Sequence, residues 1–328
     1  MRLLAVDDDP LILDLLPIVF RQAHLPKITV ATSGPAALEM LKDPEFEVDG
    51  LILDIEMPDM TGIELCQRVR KMPRYRHTPV LMLTSVTDST RIERAFAAGA
   101  DDYITKPFDV KEIATRVRVA ERMTDRSTQA PVIDLTRHDD AARPGLHDFD
   151  VTDPIRITQS EQLILPFALG NYLSQLSRRR LDSCTIFAIR ISNIDSIFAS
   201  TTTQEYGKAL AAIVDATSKV VNSPNLLMAY EGDGVFLCII QGTEAPAWPE
   251  IEDEIQAHLS KAKLTFDDGR ALDMKIAIGN PITPNASRNQ RVKKTFDRAR
   301  DRALSREKIK SKQNSSGYRN SGPSLLPS

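Results

Sequence analysis

Residues 51–65, LILDIEMPDMTGIEL, contain the pattern around which the N-terminal part of the chain is organised. The first four residues, LILD, form an apolar run that ends on the carboxylate of Asp54. The next segment, TGIELCQRVRKM at 61–72, has its apolar side chains at helical spacing. A short continuous apolar run followed by an amphipathic helix is typical of a buried parallel strand and its crossover helix. The stretch therefore predicts a βα unit with an acidic residue at the carboxyl end of its strand.

The same pattern recurs throughout the first 123 residues, where short apolar runs alternate with segments of helical periodicity. The predicted strands are LLAV (3–6), ITVA (28–31), LILD (51–54), VLMLT (80–84) and DYIT (102–105). Five βα units predict an α/β fold with a doubly wound parallel sheet. In such a fold a ligand binds at the carboxyl ends of the strands.

Polar groups follow four of these five predicted strands. They are Asp7, Asp8 and Asp9 after the first strand, Asp54 at the end of the third, Thr84 at the end of the fourth, and Lys106 after the fifth. Because the carboxyl ends of neighbouring parallel strands lie at one edge of a sheet, we expect carboxylates, a hydroxyl and an ammonium group to converge there.

The chemistry that suits this cluster is phosphoryl transfer to a carboxylate. Crowded carboxylates repel one another unless a cation binds between them, and Mg²⁺ is a hard ion suited to an oxygen site. Beside that ion, Asp54 can act as a nucleophile toward a phosphoryl group. Lys106 would neutralise the added charge, and Thr84 would donate a hydrogen bond to a phosphoryl oxygen.

Simpler interpretations exist for each residue taken alone. The acidic run before Pro10 can serve only to favour a helix N-terminus. Asp54 can be a solvated strand end, and Lys106-Pro107 can be a simple turn. Their joint occurrence at the ends of the appropriate strands is harder to explain by coincidence.

The stretches LLAVDDDP, LILDIEMPDMTGIEL, TPVLMLTS and AAGADDYITKPF together resemble the receiver domain of two-component response regulators, over residues 1–123. The resemblance implies a flavodoxin-like (CheY-like) fold. It implies that Asp54 accepts a phosphoryl group from the histidine of a partner kinase or phosphotransfer protein. It also implies that Asp7 and Asp8 hold Mg²⁺ together with Asp54, with the backbone carbonyl of Glu56 as a further ligand.

The resemblance also implies a conformational switch. Thr84 and Tyr103 would be the switch pair, Lys106 would contact the phosphate, and the Lys106–Pro107 peptide would be cis. About two negative charges added at Asp54 would pull Thr84 inward and vacate space into which Tyr103 rotates. The fourth helix, fifth strand and fifth helix would then present a different face.

That face is rich in charged residues. They are Arg91, Arg94, Asp101, Asp102, Arg116, Arg118 and Arg122. Opposite charges there predict a homodimer favoured by phosphorylation, with pairs formed across a two-fold axis. The alternative is an ordinary solvated, charged face.

The periodic pattern stops between residues 124 and 157, which are polar, contain prolines and are predicted to be a linker. A second domain is expected over 158–316, with an α+β sheet, followed by a disordered tail over 317–328. The predicted elements are a helix at 163–180, a strand at 184–191, a helix at 204–221, a hairpin at 226–240, a helix at 250–264, a strand at 274–279 and a basic helix at 291–310.

The order and spacing of FAIRISNIDSIF, YEGDGVF, KIAIGNP and DRARDRALSREKIKSKQN resemble a GGDEF domain of the diguanylate cyclase family, a nucleotidyl cyclase palm that joins two GTP molecules. Most of the residues that the resemblance implies for this chemistry are replaced. Asn193 stands where a metal-binding aspartate is expected, and Ala212 stands where an aspartate contacts guanine. In the signature itself Asp233 keeps its carboxylate, whereas Gly234 replaces the catalytic glutamate.

These losses predict a catalytically inactive GGDEF-like output domain. The alternative is a phosphorylation-controlled diguanylate cyclase that makes cyclic-di-GMP from GTP. The motif GDGVF also resembles the segment that carries the second metal-binding aspartate of class III nucleotidyl cyclases. In that alignment Ile189 would stand where the first metal-binding aspartate is expected. The basic helix could contact nucleic acid, yet it lacks a recognition partner, so a solvated face is preferred.

Composition agrees with a globular protein of two domains. The chain has 328 residues, 42% of them hydrophobic, and a formal net charge of −3, which gives no overall attraction to nucleic acid or anionic membranes. No apolar run approaches the length of a membrane span, and no signal peptide is recognised, so a cytoplasmic protein is expected. The three scattered cysteines are expected to be reduced thiols. The sequence does not identify the downstream protein partner.

Overall fold

A computed structural model describes residues 1–85, 89–124, 130–137, 142–160, 162–242, 247–285, 287 and 290–317. The chain forms two compact units. The first contains Met1–Pro131 and Phe167–Tyr172, and the second contains Val132–Pro166 and Leu173–Ser328. The predicted tail, 317–328, lies outside the described residues except for Gly317.

Strands and helices alternate along the first unit as the sequence predicts. The strands are β1 Leu3–Val6, β2 Ile28–Ala31, β3 Gly50–Asp54, β4 Val80–Thr84 and β5 Asp102–Thr105. The helices are α1 Pro10–Gln22, α2 Gly34–Lys42, α3 Gly62–Lys71, α4 Ser89–Ala97 and α5 Val110–Met123, with a 3₁₀ turn at Pro73–Tyr75. The segment Phe167–Tyr172 comes from a later helix, α6 Pro166–Gln175.

The five strands form one parallel sheet in the order β2-β1-β3-β4-β5. This confirms the predicted α/β receiver fold. Every residue of β1, β3 and β4 is buried, which explains why their sequences are continuous apolar runs. The register aligns Val6 with Leu53, so β1 and β3 end side by side at one edge of the sheet.

Local sequence signals start the helices of this unit. Asp9 caps α1 by accepting a hydrogen bond from the Leu11 amide, and Asp109 caps α5 through the Glu112 amide. Thr61 begins α3 with a capping box, in which its hydroxyl and the Glu64 side chain each bond the other's backbone amide.

Buried side chains from the sheet and from α1 and α5 form the core of the unit. Its members are Leu3, Ala5, Leu16, Val19, Phe20, Ile52, Leu81, Leu83, Ile104, Ile113, Val117 and Ala120. Each large aliphatic or aromatic side chain among them contributes about 1.5–3 kcal/mol by its burial. This packing holds the strand ends in fixed positions.

The second unit combines short and long strands with helices. The strands are β6 Val132–Ile133, β7 Arg156–Ile157, β8 Leu163–Ile164, β9 Cys184–Ile191, β10 Leu226–Gly232, β11 Val235–Gln241 and β12 Ile276–Ile278. The helices are α7 Arg178–Asp182, α8 Ile194–Ser200, α9 Thr203–Val221, α10 Glu250–Lys261 and α11 Arg291–Gly317.

A five-stranded sheet in the order β12-β9-β11-β10-β8 organises this unit. β10 and β11 form the predicted hairpin, and only β8 runs parallel to its neighbour among these pairs. The helix predicted at 163–180 is instead divided into β8, α6 and α7. Pro166 favours a helix start, and Leu176 has the extended ψ of 129° that ends α6 before Ser177 caps α7.

Part of the predicted linker, 124–157, packs into the second unit. β6 pairs with β7, and Ile133, Ile155 and Ile157 join the unit's main hydrophobic cluster. Gly207 of α9 lets Ile133 approach, since a Cβ there would lie 2.6 Å from the Ile133 side chain. The isolated apolar residues of this stretch show no periodicity, so the sequence pattern did not indicate their burial.

Candidate functional site

An acidic cluster lies where β1 and β3 end. Asp7 and Asp8 follow β1, and Asp54 is the last residue of β3. One carboxylate oxygen from each of these three residues lies within 4.8 Å of the others. Among the described residues this is the one group of three or more acidic, histidine or cysteine side chains close enough to share a metal ion.

Lys106, which follows β5, contacts two members of the acidic cluster. Its Nζ donates to Asp7 Oδ2 at 2.7 Å and to Asp54 Oδ1 at 2.6 Å. Asp7 and Asp54 are both buried, whereas Asp8 is exposed. The predicted convergence of carboxylates and an ammonium group is therefore present.

Backbone hydrogen bonds hold the parts of the site in register. The Lys106 amide donates to the Thr84 carbonyl at 2.7 Å, which fixes the lysine beside the end of β4. The Glu56 amide donates to Asp54 Oδ2 at 2.8 Å, so the second oxygen of that carboxylate is also engaged. The Lys106–Pro107 peptide is cis, as predicted.

Burial and charge shift the ionisation of the site. Burial raises the pKa of Asp54 to about 6, with the charges of Asp7 and Asp8 acting in the same direction and Lys106 opposing them. Burial alone would lower the pKa of Lys106, but hydrogen bonds and charges from Asp54 and Asp7 raise it above its usual value. The lysine therefore stays protonated beside a carboxylate that is costly to ionise.

The three consecutive aspartates have different roles. Asp9 caps α1, which is the simpler interpretation considered for the whole run. Asp7 Oδ1 accepts the Asp9 amide at 3.0 Å, while its other oxygen binds Lys106. Asp9 therefore serves the start of the helix, whereas Asp7 belongs to the acidic cluster.

Gly62 is a positioning residue that the sequence patterns did not single out. A Cβ at Gly62 would lie 2.0 Å from the Asp54 carbonyl oxygen. The Gly62 amide also donates to the Ile55 carbonyl at 3.1 Å. A glycine at the first position of α3 thus allows the helix to begin directly against the loop that carries Asp54.

The other residues named from the sequence lie in β4, in β5 and in the loop after β3. Thr84 is buried at the end of β4, and Tyr103 is buried in β5 with its ring edge-on to Phe96 at 6.2 Å. The Glu56 side chain forms an ion pair with Arg91. The role of the Glu56 carbonyl as a metal ligand stays a prediction.

Several charges of the predicted dimer face are paired within the first unit. Asp101 binds Arg70 at 2.9 Å and Asp102 binds Arg116 at 3.0 Å. The exposed charges on α4 and α5 include Arg94, Arg118 and Arg122. The homodimer stays a prediction, and its cross-axis pairs would have to replace or extend these internal ones.

In the second unit, Asp233 lies at the tip of the β10–β11 hairpin. Asp233 and Gly234 have φ values of 49° and 72°, as a two-residue type I′ turn requires. Asp233 is not part of a three-residue acidic group among the described residues. Its residue type and backbone are explained by the turn.

Asn193 and Gly234 lie in positions shaped by packing. The Asn193 side chain donates to the Asp273 carbonyl at 2.8 Å and accepts from the Lys275 amide at 3.1 Å. A Cβ at Gly234 would lie 2.9 Å from Ile194 and 3.0 Å from the Ile191 carbonyl oxygen. The Asn193 side-chain amide thus uses both its donor and its acceptor within the fold. The neighbours of Gly234 leave no space for a side chain at that position.

The donor set of the first unit fits a magnesium ion. Asp7, Asp8 and Asp54 supply hard oxygen ligands, which Mg²⁺ prefers, from a rigid strand edge and an adjoining loop. The unfavourable ionisation of Asp54 is what a bound cation would relieve.

Comparison with known proteins identifies the first unit. Residues 3–118 match the family described as the response regulator receiver domain. The DNA-binding dual master transcriptional regulator RpaA of Synechocystis is 40% identical over 129 residues, which are 39% of this chain and 52% of RpaA. The heme response regulator HssR of Staphylococcus aureus is 39% identical over 122 residues, 37% of this chain and 52% of HssR.

Solved structures give matches of similar extent. A putative response regulator from Chloroflexus aurantiacus is 37% identical and aligns with 38% of this chain and 98% of its own, with a TM-score of 0.34. The chemotaxis protein CheY4 of Vibrio cholerae is 31% identical and aligns with 36% and 97%, also with a TM-score of 0.34.

The N-terminal part of the chain is a response regulator receiver domain with a CheY-like fold. The chain spans about half the length of the curated relatives that it matches. None of the described helices is both long and apolar enough to span a membrane.

Proposed function

We propose that this chain is a two-component response regulator that is phosphorylated on Asp54 by a histidine kinase or phosphotransfer protein. Residues 1–123 would receive the phosphoryl group, and residues 158–316 would carry the output. The observation that carries the proposal is the position of Lys106, whose ammonium group binds Asp7 and Asp54 at the strand edge.

The residues around Asp54 have defined roles in this reaction. An Asp54 carboxylate oxygen attacks the phosphorus of a phosphohistidine, the phosphorus–nitrogen bond breaks, and its electron pair stays on the leaving imidazole. Lys106 offsets the negative charge that accumulates, and Thr84 donates to a phosphoryl oxygen. Asp7, Asp8 and Asp54 would hold Mg²⁺, with the Glu56 carbonyl as a further ligand, and the ion supplies neutralising charge.

Phosphorylation of variants tests the acceptor. The chain is incubated with labelled acetyl phosphate and Mg²⁺, and incorporation is measured by intact mass and by label. We expect about one phosphoryl group in the wild type and none in Asp54→Asn. Asp9→Asn is the matched control, because asparagine also caps a helix and should leave labelling unchanged. Labelling of Asp54→Asn at the wild-type level would displace Asp54 as the acceptor.

For the second unit we propose a GGDEF-like output domain without cyclase activity. Asn193, at the position expected to hold a metal, is engaged with the backbone on both sides of its amide group. Gly234, at the position expected for the catalytic glutamate, has a left-handed φ and close neighbours. These contacts support replacement of catalytic residues by residues that serve the fold.

A further feature supports inactivity. The segment 145–153, here called the covering segment, lies against the hairpin tip. The Val151 carbonyl accepts the Asp233 amide at 2.8 Å, and a Cβ at Gly232 would lie 2.1 Å from the Thr152 carbonyl oxygen. A substrate that had to approach this backbone would meet the covering segment instead.

The covering segment is anchored by aromatic packing. The His147 ring stacks on Phe198 with centroids 4.1 Å apart, and its Nε2–H donates to the Phe198 carbonyl at 2.9 Å. Its Nδ1 is 3.1 Å from the Thr203 hydroxyl, and Phe149 packs against Phe198 and Tyr206. These contacts support a stable position for the segment over the hairpin.

The proposed output partner is a protein. Several cations of the basic helix α11 are used within the second unit, which supports a structural role for that face. Arg300 binds Glu231 through both carboxylate oxygens, and Arg306 binds the buried carboxylate of Glu252. The relative named for DNA binding aligns with only 39% of this chain, so its activity does not define the output here.

A GTP turnover assay tests the output domain. The full chain is incubated with GTP and Mg²⁺, with and without acetyl phosphate, and cyclic-di-GMP is measured by chromatography. We expect no product in either state. Product that disappears in Asp233→Ala would instead establish the alternative, a phosphorylation-controlled diguanylate cyclase.

A further inference from the structure

A short segment from the middle of the chain packs against the receiver domain. Phe167–Tyr172, here called the docking segment, belongs to the first unit. Tyr172 is buried, its hydroxyl donates to the buried Glu93 carboxylate of α4, and its ring lies edge-on to Phe96 with centroids 5.5 Å apart. The docking segment therefore covers part of α4.

A second contact extends the covered surface to Asp101, the residue before β5. The Asn171 side-chain amide donates to the Asp101 carbonyl at 3.0 Å. Asp101 is itself held in place, because its carboxylate accepts from Arg70 and from the Val80 amide, both at 2.9 Å. Ala168 and Leu169 of the segment are also buried. The contact thus combines directional hydrogen bonds with buried apolar side chains.

Phe96 connects this contact to β5, the strand that precedes Lys106. Its ring contacts Tyr172 on one side and Tyr103 of β5 on another. Three residues after Tyr103, Lys106 binds Asp7 and Asp54. A movement of β5 or Tyr103 would change the aromatic surface on which Tyr172 rests.

We propose that the α4–β5 surface is the docking site of residues 167–172 in the unphosphorylated chain, and that phosphorylation of Asp54 releases this segment. The second part rests on the proposed function of Asp54. In the docked arrangement, the Asp54 carboxylate is unphosphorylated and forms an ion pair with Lys106. A phosphoryl group competes for that lysine, displaces β5, and removes the support that Phe96 gives to Tyr172. The chain continues from Tyr172 directly into the second unit, so release changes the tether of the output domain.

Hydrogen–deuterium exchange of the full chain tests both parts. Amides of residues 167–172 are followed in wild type, in Tyr172→Phe and in the matched control Tyr75→Phe. Tyr75 is another buried tyrosine of the first unit, and its hydroxyl donates to the Phe46 carbonyl, which is not part of the docking segment. Without phosphorylation, we expect exchange of the segment to rise about tenfold in Tyr172→Phe and to stay at the wild-type rate in the control. Equal rates in all three proteins would overturn the docking site.

The phosphorylation arm uses acetyl phosphate and Mg²⁺, with the phosphorylated fraction measured by intact mass in the same sample. We expect the wild-type segment to exchange about tenfold faster once Asp54 is phosphorylated. Unchanged or slower exchange in phosphorylated protein would refute release while leaving the proposed acceptor intact. Failure to phosphorylate would instead count against the function proposed for Asp54, and the comparison of the tyrosine variants would still decide the docking site.

Discussion

Asp54 and Asp233 both follow apolar strands, yet their surroundings are opposite in character. Burial, with a smaller contribution from the neighbouring carboxylates, raises the pKa of Asp54 to about 6, although Lys106 opposes this shift. Asp233 occupies a left-handed turn position, and its amide is bonded to Val151. A carboxylate that is costly to ionise and lies beside a cation is suited to chemistry, whereas one in a tight turn satisfies backbone geometry.

Asp54 should make stability depend on pH in the metal-free protein. Between about pH 4 and pH 6, Asp54 is protonated in the folded chain but ionised in the unfolded chain. The free energy of unfolding therefore rises as pH falls through this window. Asp54→Asn resembles the protonated form. It should raise the free energy of unfolding by about 1–3 kcal/mol near pH 7.5 and by much less near pH 4.5.

Urea unfolding at the two pH values measures this effect. Asp14→Asn, on the exposed side of α1, serves as the control and should change stability little at either pH. A stabilisation by Asp54→Asn that is equal at both pH values would contradict the raised pKa.

Lys106 should be needed for the chemistry of Asp54. Lys106→Gln removes the cation that lowers the pKa of Asp54, so that pKa should rise further above about 6. Phosphorylation by acetyl phosphate should slow by about 100-fold, because a preorganised charge is lost at the reacting group. Carboxyl titration by NMR and the labelling rate measure the two effects. Lys111→Gln, at an exposed site on α5, is the control, and the idea fails if both lysine variants behave alike.

At the scale of elements, the start of α3 is as important to the site as the strands. Gly62 allows that helix to begin against the Asp54 carbonyl. Gly62→Ala should lower the free energy of unfolding by about 1–3 kcal/mol through overpacking, and should also slow phosphorylation. Arg68→Ala, at an exposed position of the same helix, should do neither. Chemical denaturation measures the stability, and the rate of labelling by acetyl phosphate measures phosphorylation. Equal values for Gly62→Ala and Arg68→Ala would contradict this role of Gly62.

The hairpin of the second unit allows a matched test of crowding. Gly234 and Gly242 share a φ of 72°, but a Cβ meets Ile194 and the Ile191 carbonyl at the first and nothing within 4 Å at the second. Both alanine variants carry the backbone strain. Gly234→Ala should therefore be less stable than Gly242→Ala by about 1–3 kcal/mol, measured by urea unfolding. Equal stabilities would mean that the space at Gly234 can be opened at little cost.

At the scale of the whole molecule, two of the contacts that we predict involve the same surface of the receiver domain. The predicted dimer face includes α4 and β5, where Asp101 and Asp102 already pair internally and the docking segment covers Glu93 and Phe96. Release of that segment would expose apolar area that a second copy could cover. Dimerisation should therefore accompany phosphorylation.

Analytical ultracentrifugation of the full chain with and without acetyl phosphate checks this expectation. We expect a monomer at low micromolar concentration without the phosphodonor and a larger dimer fraction with it. Tyr172→Phe should increase the dimer fraction even without phosphorylation, whereas Tyr75→Phe should not. A sedimentation coefficient that is identical in all samples would argue against dimerisation through this face.

The sequence by itself determined the five βα units of the receiver domain, because short, largely apolar strands alternate with segments of clear helical period. It also determined which polar residues would meet, since parallel strands bring their carboxyl ends to one edge of a sheet. Asp7, Asp8, Asp54 and Lys106 were all predicted in this way. The cis peptide before Pro107 followed from the family resemblance.

Only the tertiary structure decided the contacts that depend on chain segments far apart in sequence. Nothing periodic marks residues 145–153, and the helical pattern over 167–172 does not reveal which surface the helix contacts. Neither the cover over Asp233 nor the contact of Tyr172 with Glu93 was therefore visible in the sequence. The close approach at Gly62 was equally hidden, because glycine alone does not reveal which backbone atom lies opposite it. Local sequence specifies secondary structure and the direction of strands, whereas packing decides which surfaces those elements leave open.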